Sequence, residues 1–295
     1  MLARAVGRDA GEALILGALN PLVLLTLIGG AHNDALMAAL LVTGIGFAAQ
    51  RHPVWGLFFC SCAAAIKAPA ALGLVYVAWT WLGPHVSWRQ KLKPFLVAGV
   101  VAVATLSVFT LLAGFGYGWI RNLATPGTVR SWAAPATAVG LALADLAHLL
   151  GASTTTATII GATRLVGLAA AMGISLWLLL NADRRGWVRS LAVSLLLFVV
   201  LGPVVQPWYL VWGLVLLAVV FVGREHFWLL LLSIVGPFLG LPGGRELLNG
   251  LIHANPFAMV AALLILAAML LLPLGAWTQW SWPEVPAPST VAIDA

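Results

Sequence analysis

The chain has 295 residues, of which 62% are hydrophobic and 8% charged, whereas soluble domains carry about 25% charged residues. That balance excludes an ordinary soluble domain and leads us to expect an integral membrane protein. The formal net charge of +6 does not point to nucleic acid, because the basic residues fall in short clusters between apolar runs and not along one amphipathic face.

The N-terminal stretch "MLARAVGRDAGEA" carries charge but lacks the short apolar core and small-residue cleavage site of a signal peptide. Apolar runs bounded by charge, Gly or Pro then follow at 13–30, 35–50, 54–66, 70–83, 94–114, 157–180, 188–203, 207–222, 227–240 and 256–277. The expected fold class is all-α, a polytopic integral membrane protein with about ten transmembrane or re-entrant helices. Residues 1–295 are expected to form a single transmembrane domain ending in a short cytoplasmic tail at 278–295. Several runs are shorter than the roughly 20 residues of a perpendicular span, so re-entrant or broken segments are expected. Cys60 and Cys62 fit neither a zinc ribbon nor a redox pair and read as small core residues.

Alternation through ten crossings puts Arg4, Arg8, Arg51, Arg89, Lys91, Lys93, Arg184, Arg185, Arg189 and Arg224 on one side. Lys67, Arg121, Arg130 and Arg245 fall on the other. The basic side is cytoplasmic by the positive-inside rule, which places both termini there. This bias requires residues 54–83 to form two helices broken at "KAP" and not one kinked helix. Trp55, Trp81, Trp187 and Trp228 near segment ends suit the membrane interface.

With that orientation the polar groups gather on the extracytoplasmic side. The first is "GGAHNDALM", residues 29–37. There Asn33 or Asp34 can cap the following helix, while His32 and Asp34 can serve as proton acceptors or cation ligands. Two neighbouring ligands do not define a metal site, so no metal residues are assigned, and a divalent cation stays open as a cofactor. Lys67 in "AAAIKAPAAL" suits a phosphate, or it snorkels to the interface. The loop at 114–137 brings Arg121, Arg130, Tyr117, Trp119 and Trp132, which can hold an anionic headgroup and stack on sugars, or simply anchor at the interface. In "VQPWYLVW", Gln206, Trp208 and Tyr209 sit beside Pro203 and Pro207, as hydrogen-bonding and aromatic groups on a rigid turn or as belt residues. Arg245 and Glu246 read as an exposed pair of little weight. Ionisable groups at membrane depth are costly and usually mark a pathway or site.

Four stretches in order, "LNPLVLLTLIGGAHNDALM" (19–37), "AAAIKAPAALGLVYV" (63–77), "FGYGWIRNLATPGTVRSWAAPATAVG" (115–140) and "LGPVVQPWYLVWGL" (201–214), resemble the polyprenol-phosphomannose-dependent α-1,6-mannosyltransferases of actinobacteria. The resemblance runs from about residue 13 to about 222 and implies a GT-C-like membrane glycosyltransferase. It implies a polyprenyl phosphomannose donor, a mannan or lipoglycan acceptor in the cell envelope, and an active face outside the plasma membrane. It also implies inversion at the anomeric carbon, which needs one base and cationic help for the leaving phosphate. On that basis Asp34 and His32 are the catalytic candidates, and Lys67, Arg121 and Arg130 the phosphate-binding ones. Asn33, Trp132, Gln206, Trp208 and Tyr209 are the candidates for binding sugar or lipid.

Members of that family are commonly about twice this long and carry their catalytic carboxylate in the first outer loop. The chain is therefore expected to correspond to the C-terminal part of such an enzyme, with the base of the longer form upstream and the isolated chain inactive if that base is lacking. The competing readings are a polytopic transporter or lipid flippase, against which stands the lack of repeat symmetry, and a noncatalytic membrane subunit.

Overall fold

The computed structural model describes residues 1–84, 86–114, 116–123, 133–223 and 225–239. Arg130, Trp132, Arg224, Arg245, Glu246, the run at 256–277 and the tail at 278–295 lie outside the described residues. Those described are helical and irregular, with no strand among them.

A short helix α1 (Leu2–Ala5) precedes α2 (Ala10–Ala18), whose N-cap Asp9 accepts a hydrogen bond from the Glu12 N–H at 2.7 Å. Pro21 cannot supply an N–H to continue that ladder. The buried Asn20 side chain bridges the gap, donating to the Leu16 carbonyl at 2.7 Å and accepting from the Val23 N–H at 3.0 Å. A π-helical turn, Val23–Ile28, then leads to α3 (Asp34–Ala49). Helix α3 packs along α4 (Pro53–Ile66) so closely that a Cβ on Gly44 would stand 2.8 Å from the Gly56 carbonyl oxygen and from Cys60 Sγ.

Helix α4 ends at Lys67, whose backbone is extended, and a single turn at Ala68–Ala70 starts α5 (Ala71–Thr80). Along one continuous helix Cys60 and Gly73 would lie about 20 Å apart. Instead, a Cβ on Gly73 would stand 2.9 Å from Cys60 Sγ, so the chain doubles back at "KAP" as two helices. Helix α6 (Trp88–Ala113) follows, with buried Lys91 donating to the Trp79 carbonyl at the end of α5 at 2.7 Å.

A short helix α7 (Trp119–Asn122) is held to α6, Tyr117 by Ser107 and Trp119 by Thr110. Next comes α8 (Pro135–Leu149), whose first residues the sequence reading assigns to the loop at 114–137 and whose remainder it leaves outside the apolar runs. It pairs antiparallel with α9 (Thr156–Leu180), Gly140 lying against Ile160 and Thr163. A turn, α10 (Ala182–Arg185), leads to α11 (Trp187–Val200), α12 (Val211–Val220) and α13 (Glu225–Val235). The fully buried Tyr76 ties α5 to α11 through Ser194 Oγ at 2.9 Å.

Each apolar run expected between 13 and 240 is thus helical within a few residues, the first of them interrupted at Leu19 and Asn20. Two helices, Trp88–Ala113 and Thr156–Leu180, are long and apolar enough to cross a bilayer by length and composition; the other apolar helices have 10–17 residues. Leu96, Val100, Leu111 and Leu112 on α6 and Leu165 and Val166 on α9 are exposed apolar side chains, as lipid contact would favour. Length, composition and these exposed faces describe a membrane protein that is helical over the described residues, two of its helices being long enough to span a bilayer.

The bundle has two polar ends. At one, Glu12 pairs with His226 at 3.2 Å and Arg189 with Glu225. At the other, the start of α3, the junction of α4 and α5, and the connection from α11 to α12 converge.

Candidate functional site

The turn before α3 is compressed, and Ala31 takes a left-handed φ of 51°, a conformation that costs a residue with a Cβ about 1–2 kcal/mol. Asn33 occupies the N-cap position, exposed and without a side-chain cap bond, so the capping role considered for it is not made. Asp34 is the first helical residue, where a carboxylate complements the helix dipole. Its side chain points into the bundle and is completely buried.

Both carboxylate oxygens are engaged. Oδ1 accepts a 2.7 Å hydrogen bond from the indole N–H of Trp212, 178 residues away. Oδ2 lies 3.1 Å from Lys67 Nζ in an ion pair too oblique to count as a hydrogen bond. Lys67 reaches this position because its backbone is extended between two helical segments. Its ammonium stands 4.6 Å from the centroid of Tyr209 and 5.9 Å from that of Trp212, within cation–π range. The Lys67 side chain keeps 22% of its surface exposed while that of Asp34 keeps none, so of the two partners only the lysine reaches the surface of the bundle.

The aromatic side of the site comes from the turn Pro207–Leu210 and the first residues of α12. Tyr209 and Trp212 are stacked at 4.4 Å, and Trp208 stacks on His32 at 3.8 Å with 17° between the rings. Both members of the second pair are half-buried. Gln206, half-buried, is the N-cap of the turn, and its side chain makes no hydrogen bond to a described residue. Three of the expected polar stretches, carrying His32 and Asp34, Lys67, and Trp208 and Tyr209, therefore meet at one place.

Arg121 is not brought there. It is exposed on α7, in a segment fastened to α6 by Tyr117 and Trp119, and no described contact joins it to Lys67. Arg130 and Trp132 lie outside the described residues. Among the described residues no group of three or more His, Cys, Asp or Glu side chains is placed to hold a metal ion. Asp34 is turned toward Trp212 and Lys67 while His32 is stacked on Trp208, so these neighbours in sequence do separate work.

Sequence reasoning gives no role to Trp212, the donor to Asp34, or to Arg164, a buried arginine in the apolar run of α9. A cation inside such a run is a signal in itself. Arg164 Nε donates to Thr137 Oγ1 at 2.9 Å, and that hydroxyl donates to the Pro203 carbonyl at 3.0 Å.

Residues 1–83 match a family model described as α-(1→6)-mannopyranosyltransferase, N-terminal domain, and residues 136–275 one described as MptB C-terminal domain. A probable α-(1→6)-mannopyranosyltransferase of Mycolicibacterium smegmatis is 31% identical over 307 residues, covering 90% of this chain and 54% of that protein. The α-(1→6)-mannopyranosyltransferase A of Mycobacterium tuberculosis is 34% identical over 230 residues, covering 74% and 43%. The α-(1→6)-mannopyranosyltransferase B of Corynebacterium glutamicum is 31% identical over 240 residues, covering 74% and 40%. The chain spans about half the length of the curated relatives it matches. No solved structure matches it.

Proposed function

The chain belongs to the α-(1→6)-mannopyranosyltransferase family, and we propose that it moves a mannosyl group from polyprenyl phosphate to an α-1,6-mannan chain of a cell-envelope lipoglycan. The protein crosses the plasma membrane several times with both termini in the cytoplasm, and the end of the bundle holding Lys67 faces outward. In the reaction the bond from the anomeric carbon to the phosphate oxygen breaks and a bond to the acceptor hydroxyl oxygen forms. The hydroxyl proton passes to a base and polyprenyl phosphate leaves as an anion, with inversion at carbon.

The observation that carries this reading is the Lys67 ammonium, backed by the Tyr209 ring at 4.6 Å and fixed by a buried counter-charge at 3.1 Å. A cation held in that way and partly open to the outside suits the leaving phosphate. Asp34 is the first candidate for the base from sequence. Its complete burial and two engaged oxygens fit it better for positioning Lys67. The half-buried His32 imidazole is then the proton acceptor at this end with access to an acceptor hydroxyl, and Trp208 beside it offers a face for a sugar ring.

The test is transfer of radiolabelled mannose from polyprenyl phosphomannose to a short α-1,6-mannoside, using membranes that contain only this chain. Transfer is expected, and Lys67→Gln should raise the donor KM about tenfold, the loss of one charge-assisted contact. An unchanged donor KM would remove Lys67 from the phosphate site. Absence of transfer from the inserted wild-type chain, in an assay where a longer relative is active, would refute the proposal that these 295 residues suffice.

A further inference from the structure

The connection at residues 201–206 lies between α11 and the turn that carries Trp208 and Tyr209, and it has no helical ladder of its own. The Pro203 carbonyl illustrates the difficulty: its helical partner would be the N–H of residue 207, which is a proline and has none. In apolar surroundings such a carbonyl must find another donor. It finds the hydroxyl of Thr137, which is completely buried at the start of α8.

That hydroxyl is fixed in turn. A hydroxyl has one proton to give, and Arg164 Nε points its own N–H at the Thr137 oxygen, leaving the hydroxyl proton for Pro203. Arg164 is a buried cation in the apolar helix α9, a costly placement. One turn further along the same helix, a Cβ on Gly167 would stand 2.4 Å from the Leu201 carbonyl oxygen and 3.2 Å from Ala136 Cβ. Helix α9, the start of α8 and the end of α11 are therefore in direct contact where residues 201–206 begin. Downstream of this point come Tyr209, under Lys67, and Trp212, on Asp34.

We propose that Arg164 and Thr137 are positioning residues, which lock the connection at 201–206 and so set Tyr209 and Trp212 against the Lys67–Asp34 pair. The link to catalysis rests on the function proposed above; the bracing itself does not. Neither residue touches substrate. Their effect on transfer runs through the aromatic pair and falls on donor binding.

The experiment uses the full chain in lipid nanodiscs, with Thr137→Val to delete the hydroxyl at nearly constant volume and Thr137→Ser to restore it. Backbone hydrogen exchange over 201–212 is compared with exchange over 34–49 as an internal reference. Thr137→Val should accelerate exchange in 201–212 by about tenfold and leave the reference segment unchanged, while Thr137→Ser stays close to wild type. Arg164→Met should accelerate the same segment. In the transfer assay Thr137→Val should raise the donor KM several-fold more than it lowers kcat, with rescue by Thr137→Ser. Unchanged exchange in 201–212 for Thr137→Val overturns the proposal, as does equal acceleration of both segments, which would mean general loosening. Local acceleration in Thr137→Val, together with no mannose transfer by the wild-type chain, would uphold the brace and refute transfer by these 295 residues alone.

Discussion

The two partners of the Lys67–Asp34 pair differ in burial, and that difference fixes what removing each should do. Lys67→Met leaves the Asp34 carboxylate with no accessible surface and the Trp212 N–H as its remaining donor. Stranding a buried charge in this way costs about 3–5 kcal/mol. Asp34→Asn leaves an ammonium whose side chain is 22% exposed and which still faces the Tyr209 ring; a cation that can rehydrate loses only about 1 kcal/mol. The double variant Lys67→Met with Asp34→Asn leaves no charge behind and keeps an amide oxygen as acceptor for the Trp212 N–H, so most of the loss should return. Equilibrium unfolding in mixed detergent micelles gives the three free energies, and the cycle should show a coupling of about 2 kcal/mol or more. Equal costs for the two single variants, or a double variant equal to their sum, would refute the unequal burial on which the reasoning depends. The recovered double variant should also fail to transfer mannose, separating the pair's contribution to stability from its contribution to chemistry.

Two further predictions concern the bundle that carries the site. Gly44→Ala would put a methyl 2.8 Å from the Gly56 carbonyl oxygen and Cys60 Sγ, and should cost about 1–3 kcal/mol in the same unfolding assay; Gly99→Ala, with nothing within 4 Å, should cost nothing. Tyr76→Phe removes the buried hydrogen bond to Ser194 Oγ and should lower stability by about 1 kcal/mol, with Ser194→Ala producing no additional loss when combined with Tyr76→Phe; additive losses would show that the hydroxyls act independently.

Much of this arrangement was legible because apolar runs and their interruptions are local. The break at "KAP" was chosen over one kinked helix because it keeps the basic residues on one side, and the structure turns the chain there. Counting crossings put residues 32, 34, 67 and 208–209 at the same end, without any knowledge of their contacts. Helix α8 was hidden because Asp145 and His148 dilute its apolar character, yet both are exposed and the helix is held by its other face, through Gly140, on α9. Arg121 was grouped with Lys67 by the same counting, but sharing a side of the membrane is not contact, and Tyr117 and Trp119 carry its segment to α6. The indole N–H of Trp212 meets Asp34 across 178 residues, and no periodicity or motif spacing encodes such a pairing.

The same local interruptions explain why the polar groups are tolerated where they are. An uninterrupted helix satisfies its own backbone and presents side chains to lipid or to neighbouring helices, with no place for a hydrated group. Each of the three connections at this end breaks the ladder: Ala31 with a left-handed φ, Lys67 in an extended conformation, and the connection at 201–206. Unladdered backbone draws polar side chains to itself, as Pro203 draws Thr137, and at the same end Asp34 accepts from Trp212 and pairs with Lys67. If the ion pair served stability alone, an apolar pair of similar size would do as well. What the apolar pair cannot supply is a cation fixed in position and open to one side, and the unequal exposure of Lys67 and Asp34 provides that.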